Sequence, residues 1–179
     1  IGHAFKVFGL WAILFAVFTV CVGKLDQLRW QRDNLPVGVS SVDDKMRQLE
    51  CLTKNIYWEA ASEPFEGKVA VAQVTINRAE SGQFPSDICK VVYQKNVVYE
   101  KVLCQFSWYC DSASLKKPMN GPVYIESMEV AKKVLLEGFR LDSIKQALYY
   151  HADYVNPRWK NLNHITTIGR HIFYVPKDL

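Results

Sequence analysis

The clearest pattern in the chain is an apolar stripe at helical spacing between residues 41 and 60. The stripe consists of Met46, Leu49, Leu52 and Ile56, which recur at steps of three, three and four. Ser41 is a candidate cap for the start of this helix. The next step of three along the stripe is Glu59, so the pattern predicts a carboxylate on the buried face of the helix.

A second helix is predicted over residues 63–78, with Ser62 as a cap candidate and Pro64 in the tolerated first turn. Residues 69–72 are apolar on every side, which predicts a central position. One polar stripe crosses this helix, formed by Glu66, Gln73 and Asn77. Polar groups on a buried helix need partners, so the stripe indicates either a hydrogen-bond network between elements or contacts with a substrate.

The remaining pattern predicts short elements in a helices-then-strands order. Two helices are expected over residues 86–94 and 122–137, and two strand segments over 146–151 and 165–175. The second strand segment turns back on itself at Gly169, which predicts a hairpin. Helices followed by a small antiparallel sheet are typical of an α+β fold.

An apolar run without a charge occupies residues 7–23. Its length fits the short end of a membrane span, and its end is a poor match to a signal-peptide cleavage site. We therefore predict a transmembrane or signal-anchor helix within residues 1–23, a stalk or linker over 24–39 and a folded domain over 40–179. A cleaved signal peptide and a buried soluble helix remain the alternatives.

Four cysteines lie outside the apolar run: Cys51, Cys89, Cys104 and Cys110. An even number suits an oxidising compartment. We predict a local Cys104–Cys110 staple, which leaves Cys51 to pair with Cys89; four reduced thiols are the alternative. The basic residues after the apolar run would place the domain in the cytoplasm, so the two signals conflict and the membrane orientation stays open.

The composition indicates one ordinary folded domain. The chain has 179 residues, of which 49% are hydrophobic, and a net charge of +4. A mild positive excess favours an anionic partner such as cell wall, a membrane surface or nucleic acid. Because the lysines and arginines are scattered, we expect no nucleic-acid partner.

The position of Glu59 predicts a carboxyl group with a raised pKa, because burial disfavours its charged form. Cleavage of a glycosidic bond needs such a group, since a protonated acid must donate to the leaving oxygen. The structural alternative is a glutamate paired with a lysine or arginine at a helix interface.

The segment around Glu59 carries a recognisable motif in this sequence. The motif positions are Glu59, Ala60, Glu63, Pro64, Glu66, Gly67, Ala70, Val71, Ala72, Val74, Asn77 and Arg78. They resemble the signature E-A-R-G-E-P-x-E-G-x-x-A-V-A-x-V-x-x-N-R of the SleB/CwlJ-type cell wall hydrolases. Segments 105–107, 147–159 and 168–173 resemble later motifs of that family in the same order. The family's Arg-Gly after Glu-Ala is Ala61-Ser62 here.

The resemblance implies a mainly helical, lysozyme-like or lytic-transglycosylase-like α+β domain. It further implies that peptidoglycan strands are cleaved between N-acetylmuramic acid and N-acetylglucosamine. The expected route is lytic transglycosylation, in which Glu59 acts as acid and then as base and the 6-hydroxyl of the sugar attacks. We expect no cofactor and no metal.

Beside Glu59, several residues are expected to contact substrate or to support the site. The expected substrate contacts are Glu66, Gln105, Phe106, Ser107, Tyr150, His151 and Trp159. The expected supporting residues are Glu63, Gln73 and Asn77. Phe106 and Trp159 are alternatively core residues. His171 is expected to be structural.

Two other classes of function remain open from the sequence. One is a peptidoglycan amidase or a metal-assisted hydrolase that uses the histidines, although their spacing matches no compact ligand motif. The other is a catalytically silent wall-binding protein or a virion component, which the Ala61-Ser62 departure favours. The expected partners are peptidoglycan, the membrane through residues 7–23, and phage or envelope proteins. The expected location is the periplasm or cell envelope, with virion association as an alternative.

Overall fold

The computed structural model describes residues 18–25, 37–98 and 100–178. Residues 45–179 form one compact unit, and residues 1–44 belong to a separate one. Residues 18–25 are helical. Within the described ranges, no helix combines the length and the apolar character that a membrane span needs. The predicted apolar run at 7–23 and the predicted linker lie largely outside these ranges.

The described part of the chain contains helices and two small antiparallel sheets. The α-helices are α1 (Val37–Ala60), α2 (Phe65–Glu80), α3 (Ile88–Val92), α4 (Ser112–Lys116) and α5 (Gly121–Leu135). The strands are β1 (Lys95–Val98), β2 (Lys101–Cys104), β3 (Tyr149–Ala152), β4 (Leu162–Ile168) and β5 (His171–Pro176). Short 3-10 helices occupy Ser107–Tyr109 and Asp142–Ile144. The predicted α+β class is therefore confirmed.

Helix α1 carries the predicted apolar stripe but begins earlier than predicted. Because it starts at Val37, Ser41 lies inside the helix and does not cap it. Leu49, Leu52 and Ile56 are buried in the core as predicted, whereas Met46 is 55% exposed. The prediction for Met46 is wrong because the main core cluster reaches along the stripe only as far as Leu49.

Helix α2 is the central helix of the domain, as its apolar middle predicts. All four residues from Val69 to Ala72 are fully buried. The helix begins at Phe65 with Pro64 as its N-cap, so the predicted cap Ser62 and the predicted start are wrong. Proline suits this position because it lacks the N–H group that a helix start leaves unpaired.

The polar stripe of α2 binds the chain segment that leads into β3. The side chain of Gln73 both donates to and accepts from the backbone of Leu141. The amide of Asn77 donates to the carbonyls of Ile144 and Ala147. For these two residues, the predicted hydrogen-bond network is confirmed, and it fixes where β3 starts.

The shorter helices differ from their predicted bounds. The predicted helix at 86–94 is limited to α3, and Asp87 caps it by accepting from the Lys90 amide. Helix α5 matches the predicted helix at 122–137 to within about two residues at each end.

The larger sheet has the strand order β3-β5-β4, with antiparallel pairing throughout. The predicted hairpin between β4 and β5 is confirmed, with Gly169 in its turn at φ +57°. A β-carbon at this position would come within 1.9 Å of a Glu63 carboxylate oxygen, so only glycine fits.

The β1–β2 hairpin is an element that the sequence pattern did not predict. Lys95 pairs with Cys104, and Val98 pairs with Lys101. Glu100 in the connection has φ 63°, a conformation usually announced by Gly or Asn.

Both predicted disulfides are present. Cys51 on α1 pairs with Cys89 on α3, with 5.2 Å between their Cα atoms. Cys104 pairs with Cys110, with 5.8 Å between their Cα atoms, and closes the loop at 105–109. The first bond joins two helices, and the second holds a local loop.

Candidate active site

A cleft of about 260 Å³ lies where the end of α1 meets the 105–107 segment and strand β3. Its lining residues are Glu59, Arg78, Cys104, Gln105, Phe106, Ser107, Tyr149, Tyr150 and Trp159. Five predicted site residues besides Glu59 therefore line the same cleft. Arg78, Cys104 and Tyr149 join them without having been predicted as site residues.

Glu59 sits near the end of α1, partly buried at the cleft. The hydroxyl of Tyr150 donates to its Oε2 atom at 3.1 Å. Burial raises the pKa of Glu59 above its usual value, while the Tyr150 hydrogen bond and the charge of Arg78 act in the opposite direction. The raised pKa confirms the prediction made from the position of Glu59 on the apolar stripe.

Tyr150 is held in place by the sheet. It lies in β3 opposite Phe173 of β5, and its ring packs edge-on against His171 at 5.0 Å. Burial, followed by the neighbouring charge of Glu59, raises the pKa of the Tyr150 hydroxyl well above its usual value. The hydroxyl therefore keeps its proton and remains a donor to Glu59.

Arg78 places a buried positive charge beside the cleft. Its side chain is almost fully buried, and its Nε atom donates to the Leu148 carbonyl at 2.7 Å. The guanidinium lies 5.2 Å from the Phe84 ring and 5.3 Å from the Phe106 ring. Its Nη1 atom has no hydrogen-bond partner among the described residues. Arg78 thus offers a charge, and a free donor, near Glu59.

The 105–107 segment forms one wall of the cleft. Phe106 is buried, so it serves as a core residue and as a lining residue at once. The segment is anchored from behind because the Trp108 indole donates to Asn55 Oδ1 at 3.1 Å. The Cys104–Cys110 disulfide closes the loop around it. This wall is therefore fixed to the core on one side and cross-linked on the other.

Trp159 provides an aromatic surface at the rim of the cleft. It is 45% exposed, and its ring meets those of Tyr149, His151 and Tyr174 at about 6 Å. Aromatic faces are common platforms for sugar rings because they combine an apolar surface with a fixed orientation. The exposed position favours the platform over the core alternative.

Two predicted substrate contacts lie away from the cleft. Glu66 is exposed in the first turn of α2 and is not among the lining residues, because the helix begins later than predicted. His151 is bound to the Ala152 carbonyl and the Tyr174 hydroxyl, and it reaches the cleft only through its contact with Trp159. The predictions for Glu66 and His151 are corrected accordingly.

Glu63 connects the α1–α2 turn to the β4–β5 hairpin. Its buried carboxylate accepts from the Arg170 amide at 2.9 Å and lies 3.8 Å from His171 Nδ1. Burial lowers the pKa of His171, which favours the neutral ring. The predicted supporting role of Glu63 and the structural role of His171 agree with these contacts.

Two sequence signals point to Arg78, although neither assigns it a role. It is the last residue of the motif around Glu59, and it follows Asn77 on the central helix. Its position in the cleft depends on aromatic residues that come from distant parts of the chain, which helical spacing does not reveal. Among the described residues, no three His, Cys, Asp or Glu side chains are grouped to hold a metal ion.

The chain matches proteins that act on cell walls. The Cell Wall Hydrolase family matches residues 62–174, a range that begins three residues after Glu59. The spore cortex-lytic enzymes of Bacillus subtilis and Bacillus cereus are each 30% identical to the chain over 143 residues. These alignments cover 78% of this chain, but only 40% and 47% of the two enzymes. The chain thus spans less than half the length of these curated relatives.

Two solved structures share the fold. The catalytic domain of the Bacillus cereus SleB protein aligns with a TM-score of 0.53 at 24% identity, covering 72% of this chain and 90% of that one. The catalytic domain of the germination-specific lytic transglycosylase SleB from Bacillus anthracis aligns with a TM-score of 0.52 at 26% identity, covering 71% and 93%. With a family match over most of the compact unit and the fold of these catalytic domains, the chain belongs to the cell wall hydrolase family.

Proposed function

We propose that this domain cleaves the glycan strands of peptidoglycan between N-acetylmuramic acid and N-acetylglucosamine by lytic transglycosylation. The observation that carries the proposal is Glu59, a carboxyl group with a raised pKa at a cleft that has an aromatic rim. Membership of the cell wall hydrolase family supports the substrate class. The similarity to a lytic transglycosylase of Bacillus anthracis supports the reaction type.

In the first step, Glu59 acts as the general acid. Because burial raises its pKa, a substantial fraction of the side chain keeps its proton as the pH approaches neutral. That proton passes to the glycosidic oxygen as the bond to the muramic acid C1 breaks. The leaving strand departs with a new hydroxyl group, and Glu59 is left as a carboxylate.

In the second step, the same carboxylate acts as the general base. The Tyr150 hydroxyl and the Arg78 charge both favour the ionised form that Glu59 now has. The carboxylate takes the proton of the muramic acid 6-hydroxyl while that oxygen bonds to C1. The product is a 1,6-anhydro sugar, no water is consumed, and Glu59 regains its proton.

The carboxyl groups around the cleft favour this route over hydrolysis. Among the described residues that line the cleft, Glu59 is the only aspartate or glutamate. Retaining and inverting hydrolases usually place a second carboxyl group about 5–5.5 or 6.5–9.5 Å from the acid. Glu63 is instead engaged with the β4–β5 hairpin, and Glu66 is exposed away from the cleft. An intramolecular nucleophile needs no second carboxylate.

Mass spectrometry of digested peptidoglycan tests the proposal. Transglycosylation predicts fragments that end in 1,6-anhydro-muramic acid. Reducing ends with one added water would show a hydrolase, and new free amines would show an amidase. Binding to peptidoglycan without any released fragment would favour the silent wall-binding or virion alternative.

We further propose that residues 1–23 anchor the domain at a membrane, with 24–39 as a stalk and 40–179 as the catalytic domain. The uncharged run at 7–23 supports the anchor. The two disulfides support an oxidising compartment such as the cell envelope. The full chain should then stay with membranes after an alkaline wash, while a variant without residues 1–23 should not. Release of the full chain by the wash would contradict the anchor.

A further inference from the structure

A second cavity of about 230 Å³ lies beside the cleft and plays no part in the proposed reaction. Its lining includes the aromatic residues Trp58 and Tyr109 and the two lysines Lys54 and Lys117. Leu115 contributes an apolar surface to it. The cavity thus combines aromatic, apolar and positively charged groups.

This second cavity and the cleft are built from consecutive residues of the same two segments. On α1, Trp58 lines the cavity and Glu59 lines the cleft. In the loop closed by the Cys104–Cys110 disulfide, residues 104–107 line the cleft and residues 108–109 line the cavity. A ligand that extends beyond the cleft across either segment would therefore reach the cavity.

The charge of the cavity is positive. Among the described residues that line it, the charged side chains are lysines and none is an aspartate or glutamate. The Lys54 ammonium pairs with Glu50 at 2.6 Å, but Glu50 lies outside the lining and an ammonium can donate three hydrogen bonds. A third lysine, Lys95, lies 4.6 Å from the centre of the Tyr109 ring.

The acidic groups near the cavity do not cancel this charge at its surface. Asp111 precedes α4 and accepts from the amides of Ala113 and Ser114. Its two oxygens therefore face the start of α4. The lysines are left as the groups that a ligand would meet.

We propose that this cavity binds an acidic peptide, namely the stem peptide attached to the muramic acid of the strand in the cleft. Such a peptide carries several carboxylates, which match the ammonium groups of Lys54 and Lys117. Its carbon side chains match Trp58 and Leu115. The assignment rests on the proposed function, because that function brings peptide-bearing glycan into the neighbouring cleft.

The double substitution Lys54→Ala with Lys117→Ala tests the assignment in the full chain. On strands that carry peptides, KM should rise about tenfold with kcat unchanged, because the lost contacts bind substrate and transition state alike. On strands stripped of peptides by an amidase, wild type and variant should react equally. The matched control is Lys132→Ala, which removes a lysine from α5 and should change neither substrate. Equal unfolding temperatures would exclude a folding defect.

An equal loss on both substrates would overturn the assignment, because the cavity would then serve the glycan itself. No loss on either substrate would overturn it as well. A binding experiment separates this from the proposed function: a soluble muramyl peptide is titrated into the Glu59→Gln protein by calorimetry. Binding that weakens about tenfold in the lysine variant supports the assignment even if wild type fails to form anhydro products. Absent binding, or binding that the lysine variant keeps, overturns it.

Discussion

At the scale of single residues, the protonation of Glu59 is a balance between burial and two neighbours. Burial raises its pKa, and both the Tyr150 hydrogen bond and the Arg78 charge lower it. A group that must first give and then take a proton benefits from such a balance, because neither form is strongly favoured. Tyr150 and Arg78 therefore act on the reaction through Glu59.

Replacing Tyr150 by Phe removes the donated hydrogen bond and keeps the ring. The pKa of Glu59 should then rise, because the ionised form loses a donor. The acid must be protonated to react, so the alkaline limb of the pH–rate profile should move to higher pH. The maximal rate should fall, because the carboxylate base is less stabilised. Tyr154→Phe, at an exposed tyrosine, is the control. An unmoved alkaline limb would contradict the assigned balance.

The sequence predicted Glu59 because helical spacing alone places it on the buried stripe. It did not predict Arg78 or Tyr149 as site residues, because the cleft brings together segments that lie far apart in the chain. The error for Glu66 has a local cause. Its helix begins at Phe65, which leaves Glu66 in an exposed first turn.

At the scale of elements, α2 determines where β3 lies relative to α1. Gln73, Asn77 and Arg78 all bind backbone groups between Leu141 and Leu148. That segment leads directly into β3, which carries Tyr150. The polar stripe of a central helix thus sets the position of the residue that contacts Glu59.

The substitution Gln73→Leu should separate this role from simple packing. It leaves both backbone groups of Leu141 without their partner, which typically costs about 1–3 kcal/mol of unfolding free energy. Urea denaturation measures this loss. Gln83→Leu, at an exposed loop position, should change stability by less than about 0.5 kcal/mol. A Gln73→Leu protein as stable as wild type would contradict the role of the network.

The sequence predicted the helices and the β4–β5 hairpin because each has a strong local period or a turn glycine. The β1–β2 hairpin was missed for the opposite reason. Its strands are mostly exposed and show no buried alternation, and Glu100 occupies the turn position that glycine usually signals. The exact helix starts also depended on packing, as Ser41 and Ser62 show.

At the scale of the whole molecule, the two disulfides have different consequences. Cys51 and Cys89 are 38 residues apart, a separation for which chain entropy predicts about 4 kcal/mol of stabilisation. Cys104 and Cys110 are six residues apart, which predicts about 2 kcal/mol. The short loop, however, contains the wall of the cleft. The sequence predicted both pairings from the number of cysteines and the closeness of one pair.

Serine pairs at each disulfide should therefore differ in their main effect. Replacing Cys51 and Cys89 should lower the unfolding temperature more than replacing Cys104 and Cys110. The second pair should lower activity more, measured at a temperature where both variants are folded, because the 105–107 wall is no longer cross-linked. Thermal unfolding and fragment release measure the two effects. The opposite order in either measurement would contradict the assignment.

The most direct test of the central claim compares fragment release from purified peptidoglycan by wild type, Glu59→Gln and Glu66→Gln. Both substitutions remove a carboxylate from the motif, but only Glu59 lies in the cleft. Loss of a general acid typically costs about 10²–10⁴-fold in rate, so Glu59→Gln should fall by at least that range, while Glu66→Gln should stay close to wild type. A Glu59→Gln protein that releases fragments at the wild-type rate would contradict the account.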